Sequence, residues 1–282
     1  MQSLSTGLAF CRQAWKVARR TPQCYMPSVY GFVAGIVVTL LALVPIGLVD
    51  AFLRKTIPGI LLLGILCTLL ICIQFAIGEL STLVSTYRFH QHFVPAEGES
   101  QKAWGLLRRA GFDWLVFVAA ALFVAIQRGQ RQRRAAGAKP EQAWLEAVYL
   151  VMPLMVLEKL SLKASLPRAA QLVNERSLFG KDSIIGVSTF NGFVYGVLGI
   201  AGAGMGLLAA WLVHGVTGGC LAVFLFSLFS LAAIFWAGFN RATYHTCLYG
   251  GARLNEAALQ GKPSGETWAR ELLAAVLNPP VH

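Results

Sequence analysis

Residues 56–87 read TIPGILLLGILCTLLICIQFAIGELSTLVSTY, and Glu79 is the only charged residue among them. Coiled as a helix, Thr56–Gly78 alone covers about 34 Å. That exceeds the ~30 Å hydrocarbon core of a bilayer. A helix on the surface of a soluble domain would show a polar stripe every turn, and this stretch shows none. The segment therefore predicts a transmembrane helix.

Working outward, three more uncharged runs meet the same length requirement: Val29–Val49, Ser183–Val213 and Gly215–Asn240. Two apolar stretches are shorter, Trp114–Gln127 and Gln142–Leu157, the second interrupted by Glu146. At helical rise they reach only about 21–24 Å. The whole chain of 282 residues is 56% hydrophobic and 13% charged, about half the charged fraction of a soluble domain. The expectation is an all-α, polytopic transmembrane bundle of about six membrane helices, two of them short, with amphipathic cytoplasmic helices. It is read as one membrane domain over residues 1–282. Within it, residues 1–26 form an amphipathic N-terminal segment, 27–240 hold the membrane helices and their loops, and 241–282 form a cytoplasmic tail.

Lys and Arg distribution orients such a chain, because cationic loops stay in the cytoplasm. With six crossings and the N-terminus inside, the cytoplasmic segments hold 17 of the 24 basic residues and the opposite side holds 7. Both termini are therefore expected in the cytoplasm. Five of the seven exceptions, Arg128, Arg131, Arg133, Arg134 and Lys139, fall in one connection. A hairpin of the two short segments that never crosses would return this connection to the cytoplasm. A basic outer loop, tolerated because other segments set the topology, is the alternative, and six crossings is the expectation.

Next to the first span, residues 3–20 place Leu4, Leu8, Cys11, Trp15 and Ala18 at 4-3-4-3 spacing, one face of a helix. Arg12, Lys16, Arg19 and Arg20 lie elsewhere around it. A basic helix with Trp15 on its apolar side suits an anionic leaflet, so these residues are read as a membrane-surface anchor and membrane lipids as a partner. Lys163–Phe179 and Trp268–Leu277 read as further amphipathic helices. Pro167 suits a first helical turn and Gly180 the position past the end.

The run Ser183–Val213 contains GxxxG twice, as Gly192–Gly196 and Gly202–Gly206. Small residues four apart let another helix approach closely in lipid, so the four glycines are candidate packing positions. A dinucleotide loop would need a preceding strand in water, and the flanks here are membrane helix. Glu79 is the acid placed nearest membrane depth. It is read as an interfacial or structurally paired group, or as part of a proton or solute pathway. His90, His92 and His245 with Cys247 carry metal-ligating chemistry, but at no specific spacing, and no metal or cofactor is expected. None of the six cysteines forms a CxxC. No phosphate loop, GxSxG or HExxH occurs, so no catalytic residue is named and no enzyme activity is expected. The basic residues follow membrane boundaries and do not gather with aromatics, which argues against nucleic-acid binding.

The second half has a distinctive order. PLMVLE (Pro153–Glu158) closes an apolar segment, ASLPRAAQL (Ala164–Leu172) follows on a helix, and ATYHTCLY (Ala242–Tyr249) follows two long spans. This order resembles an uncharacterised prokaryotic family of polytopic membrane proteins. Over Gly7–Leu277 its layout is similar to the six-helix membrane domain that accompanies some glycerophosphodiester phosphodiesterases. The resemblance implies a six-helix bundle in a bacterial or archaeal plasma membrane and transfers no catalytic residue. The basic Arg128–Lys139 connection departs from that layout.

The function expected from these readings is a non-catalytic structural or accessory subunit that packs with other membrane proteins or with copies of itself. The alternative is a transporter or channel for a lipid or small solute, using Glu79 and the glycine-rich helix.

Overall fold

The computed structural model describes residues 2–53, 55–94, 102–132, 142–174, 181–261 and 268–269, which are helical throughout apart from short connections. In chain order the long elements are α1 (Gln2–Arg20), α2 (Met26–Leu53) and α3 (Ile57–Phe93), then a single turn, α4 (Ala103–Leu106). A short π-helical stretch, Leu107–Gly111, leads into α5 (Phe112–Gln132). There follow α6 (Gln142–Leu157), α7 (Leu162–Asn174), α8 (Lys181–Val213) and α9 (Gly215–Leu259).

Among the described residues, four helices are long and apolar enough to cross a membrane: α2, α3, α9 and the Thr189–Val213 part of α8. The protein is a helical membrane protein. Helix α9, at 45 residues, is about 68 Å long. Its uncharged run from Gly215 ends at Asn240, before Arg241.

The chain forms two compact units. The first comprises residues 25–82 and 188–240, the apolar parts of the four long helices. Contact registers give their directions. Thr39 on α2 meets Gln74 on α3, and a side chain at Gly31 would meet Ser81 and Phe235. Gly35 lies against Leu231 and Gly47 against Cys220, so α2 runs antiparallel to α9 as well as to α3. Gly202 lies against Phe229 and Gly218 against Ala210, making α8 and α9 an antiparallel pair. The unit is an up-down-up-down four-helix bundle. Its core holds Leu231, Ile234 and Phe235, packed by Phe32, Ile36, Ile77 and Tyr195 from the other three helices. Outward, Leu41, Val44, Ile65, Ile200 and Trp211 are exposed by more than 60%. A contiguous apolar surface of this kind is stable only in lipid.

Local chemistry explains both hairpin turns. Thr56 caps α3: its hydroxyl accepts a hydrogen bond from the Gly59 N–H at 3.2 Å and donates to the Leu53 carbonyl at 2.8 Å. Between α8 and α9 the reversal takes one residue, His214 at φ 54°, followed by Gly215 at φ 65°. Glycine adopts that left-handed conformation without the steric penalty that a Cβ brings.

The second unit comprises residues 1–24, 83–187 and 241–282. Its centre is α6, whose Leu150, Val151, Met152, Leu154, Met155 and Val156 are each no more than 3% exposed. This is the apolar stretch expected to be a short crossing. Over residues 150–156 that stretch is enclosed by protein. Helix α5, 21 residues long, carries Arg128 and Arg131 in its last turns.

Helix α1 docks onto this unit through Phe10, Cys11, Ala14 and Ala18, all nearly inaccessible. Phe10 meets the Tyr244 ring edge-on at 5.3 Å. Cys11 and Ala18 were placed on the apolar face by sequence, but Leu8 is exposed and Trp15 half-buried. The apolar side of α1 is covered by protein, and Arg12, Lys16, Arg19 and Arg20 point outward. The helix read over Lys163–Phe179 is α7, with residues 175–179 outside the described residues. Of Trp268–Leu277, only Trp268 and Ala269 are described.

Candidate functional site

Polar side chains inside a membrane bundle turn inward, because lipid offers them no hydrogen-bond partner. In the four-helix unit they form two levels. At the first, Gln74 Nε2 donates to Thr39 Oγ1 at 2.8 Å, and Thr39 Oγ1 donates to the Gly35 carbonyl at 2.8 Å. Both side chains are about 1% exposed. The second level collects Ser28 from α2, Glu79, Ser81 and Thr82 from α3, Asn191 from α8 and Asn240 from α9, all buried. Asn240 Nδ2 donates to Asn191 Oδ1 at 3.4 Å, a long bond.

The helix registers fix the level of Glu79 along the bundle. Gly78 lies against Ile234 and Gly238 against Thr82, so Glu79 is level with Phe235. The midpoint of the uncharged run Gly215–Asn240 falls between Ser227 and Leu228. Phe235 is therefore about 11 Å from that midpoint. Arg241, the first charged residue of α9, lies about 9 Å further along. Glu79 is 2% exposed, facing into the bundle. A carboxyl there needs a proton, a partner or hydration to be tolerated.

The four candidate packing glycines separate into two pairs. Gly202 and Gly206 are used within the chain. A Cβ on Gly202 would stand 2.8 Å from Phe229 Cβ, and one on Gly206 would stand 3.0 Å from the Ala222 carbonyl oxygen. Gly192 and Gly196 have no heavy atom within 4 Å of an added Cβ, and Gly199 is equally open. These three share one side of α8 at 4-3 spacing. Near Gly206 an apolar groove of about 390 Å³ opens between α3, α8 and α9, bounded by Cys67, Ile71, Ala203, Leu207 and Phe226.

In the second unit, ionic chemistry concentrates where α6, α7 and α9 meet. Arg168 Nη2 donates to both Glu256 carboxylate oxygens, at 2.7 and 2.9 Å, and its Nε lies 3.5 Å from Glu158. Arg253 pairs with Glu256 and stands 3.9 Å from Glu158. Tyr249 donates its hydroxyl to Glu158 at 3.2 Å. Burial works against the Arg168 charge, but the bonds to Glu256 and the Glu158 charge outweigh it and raise the guanidinium above its ordinary value. Two arginines and two glutamates leave this cluster neutral, which suits a clasp better than an anion site.

Neighbouring aromatics surround His90. Its ring lies 5.9 Å from Tyr249 and 6.3 Å from Trp268, and Trp268 stacks on Phe93 at 4.5 Å and 9°. His245 sits instead against Tyr149 at 4.9 Å. Among the described residues, no group of three or more His, Cys, Asp or Glu gathers as a metal ion would require.

Sequence reading named Glu79 and the glycines but not Thr39, Gln74, Asn191, Asn240 or the Arg168 cluster. The signal for the first four was present, since each is a polar residue inside an otherwise apolar run. Comparison with family models, curated proteins and solved structures finds no match to this chain.

Proposed function

We propose that the protein is a non-catalytic membrane subunit that packs against another membrane protein, or a second copy of itself, along the open glycine side of α8. The observation that carries this reading is the contrast between the glycine pairs. Gly202 and Gly206 are explained by α9, whereas Gly192, Gly196 and Gly199 face nothing in the described chain. Each glycine in a helix interior costs about 1 kcal/mol relative to alanine. Three of them on a lipid-facing side are understandable if another helix approaches there.

The same reading takes α2, α3, α8 and α9 as the only crossings, in a bacterial or archaeal plasma membrane with both termini in the cytoplasm. Arg54 and Lys55 then lie on the outer side and the other 22 basic residues on the inner side. That asymmetry is sharper than six crossings allow, and it removes the anomaly of the Arg128–Lys139 connection. The outward basic side of α1, joined to α2 by only five residues, would meet the anionic inner leaflet.

Extraction in mild detergent followed by mass spectrometry tests the subunit reading. A stoichiometric protein partner or a defined oligomer is expected, and Gly196→Leu should release it without unfolding the chain. A monomer with no partner, unaffected by Gly196→Leu, would overturn it.

A second reading is favoured by a different observation, the buried polar level around Glu79. Transport of a proton or small polar solute through the bundle would use this acid at membrane depth. Reconstituted vesicles would then show a flux that Glu79→Gln abolishes. Under the subunit reading Glu79→Gln leaves partner binding intact.

A further inference from the structure

Helix α5 has two apolar sides. On one, Trp114 and Phe117 are buried in their unit, stacked at 5.5 Å and 27°. On the other, Phe112, Val116 and Phe123 are exposed by 76%, 46% and 61%, with exposed Ala119 between them. The 4-3-4 spacing keeps these four residues within an arc of about 60°. Trp104, one turn upstream of the π-helical stretch, is 76% exposed. A stripe of this bulk is not stable facing water.

The charges around the stripe identify what covers it. Arg108 and Arg109 are exposed just before α5, next to the stripe, and exposed Lys102 stands ahead of them. Asp113 is the only acid between Lys102 and Gln132. A protein surface that buries aromatics does not ordinarily require a run of cations beside the contact. An anionic lipid leaflet satisfies both, taking the apolar stripe below the headgroups and the cations among them.

We propose that α5 lies in the plane of the membrane surface, with Phe112, Val116, Ala119 and Phe123 set into an anionic leaflet. This rests on the four-crossing reading, under which α5 does not span. The helix then holds the residues following α3 against the bilayer through a lipid contact of its own.

Depth measurement tests this on the full chain. Spin labels are attached to a genetically encoded ketone residue at 112, 116, 119 or 123, leaving the six native cysteines in place. The protein is reconstituted in vesicles of phosphatidylglycerol and phosphatidylcholine. Accessibility to oxygen against a nickel chelate gives each label's depth. An in-plane helix puts all four labels at one shallow depth, about 5–10 Å below the headgroup boundary. Replacing phosphatidylglycerol by phosphatidylcholine should move all four outward together, and Arg108→Gln with Arg109→Gln should remove that dependence on lipid charge. A crossing helix instead separates labels 112 and 123 by about 16 Å along the membrane normal, which overturns this inference and the four-crossing reading together. Four labels fully open to the nickel chelate overturn the inference alone, as do four labels closed to both reagents under a protein cover. Depths unchanged by lipid charge would remove the anionic leaflet as the partner.

Discussion

Replacing Gly31 and Gly196 in turn by alanine makes one chemical change in two environments. At Gly31 the new methyl would overlap Ser81 Oγ and the Phe235 ring edge. The Ser81 hydroxyl can rotate away, but Phe235 is 5% exposed and already set edge-on against Phe32 at 6.2 Å. Overpacking of this kind costs about 1–3 kcal/mol. The gain in helix propensity from glycine to alanine returns up to about 1 kcal/mol. Gly31→Ala should therefore destabilise the chain by roughly 0–2 kcal/mol, lowering its melting temperature in detergent by up to about 8 °C. Gly196→Ala meets no atom within 4 Å and keeps the propensity gain, so its melting temperature should hold or rise by about 2–4 °C. Light-scattering or intrinsic-fluorescence melting of the purified variants reads both. Co-purification of the partner provides the second axis, since Gly196→Ala should weaken it and Gly31→Ala should not. Equal destabilisation by the two variants, or a partner insensitive to Gly196→Ala, would refute the division between internally packed and open glycines.

Other outcomes follow from the second unit. Arg168→Glu with Glu256 intact should lower stability by about 1 kcal/mol, the range for a partly solvated pair. The double exchange Arg168→Glu with Glu256→Arg should recover part of that, which a double-mutant cycle in thermal melting would detect. Trp268→Ala removes the ring stacked on Phe93, a truncation that costs about 3–5 kcal/mol at a well-packed site. Faster amide hydrogen exchange at residues 89–93 is its expected signature. Burial pushes the Cys11 thiol up to about 12 and Cys24 to about 11. Neither should form the reactive thiolate at pH 8, and maleimide mass shifts at both should await denaturation.

How far the molecule was legible in its sequence depended on whether a property was local. The four long spans were legible because uncharged length is a local property: Glu79 is the only interruption in the 32 residues from Thr56 to Tyr87. The α6 stretch was ambiguous for a physical reason. A helix buried in protein and a helix buried in lipid both select Leu, Val and Met, and the enclosure of Leu150–Val156 by neighbouring elements is a long-range property that composition does not carry. Likewise α1 was recognisable as amphipathic, but periodicity does not say whether Cys11 and Ala18 face lipid or protein. The polar level around Glu79 required register, since Asn191 and Asn240 are 49 residues apart. The Arg168–Glu256 pair, 88 residues apart, was hidden for the same reason. Among the glycines, GxxxG spacing marked both pairs equally, and only the position of α9 distinguishes Gly206 from Gly196.

The side of the membrane on which the Arg128–Lys139 connection lies tests the four-crossing arrangement most directly. Two reporters fused in turn after Gly137, after Lys55 and at the C-terminus decide it, one active only in the cytoplasm and the other only outside. With four crossings, the fusion at 137 behaves like the C-terminal fusion and opposite to the one at 55. A fusion at 137 that instead matches the one at 55 would make α5 and α6 crossings and contradict that arrangement.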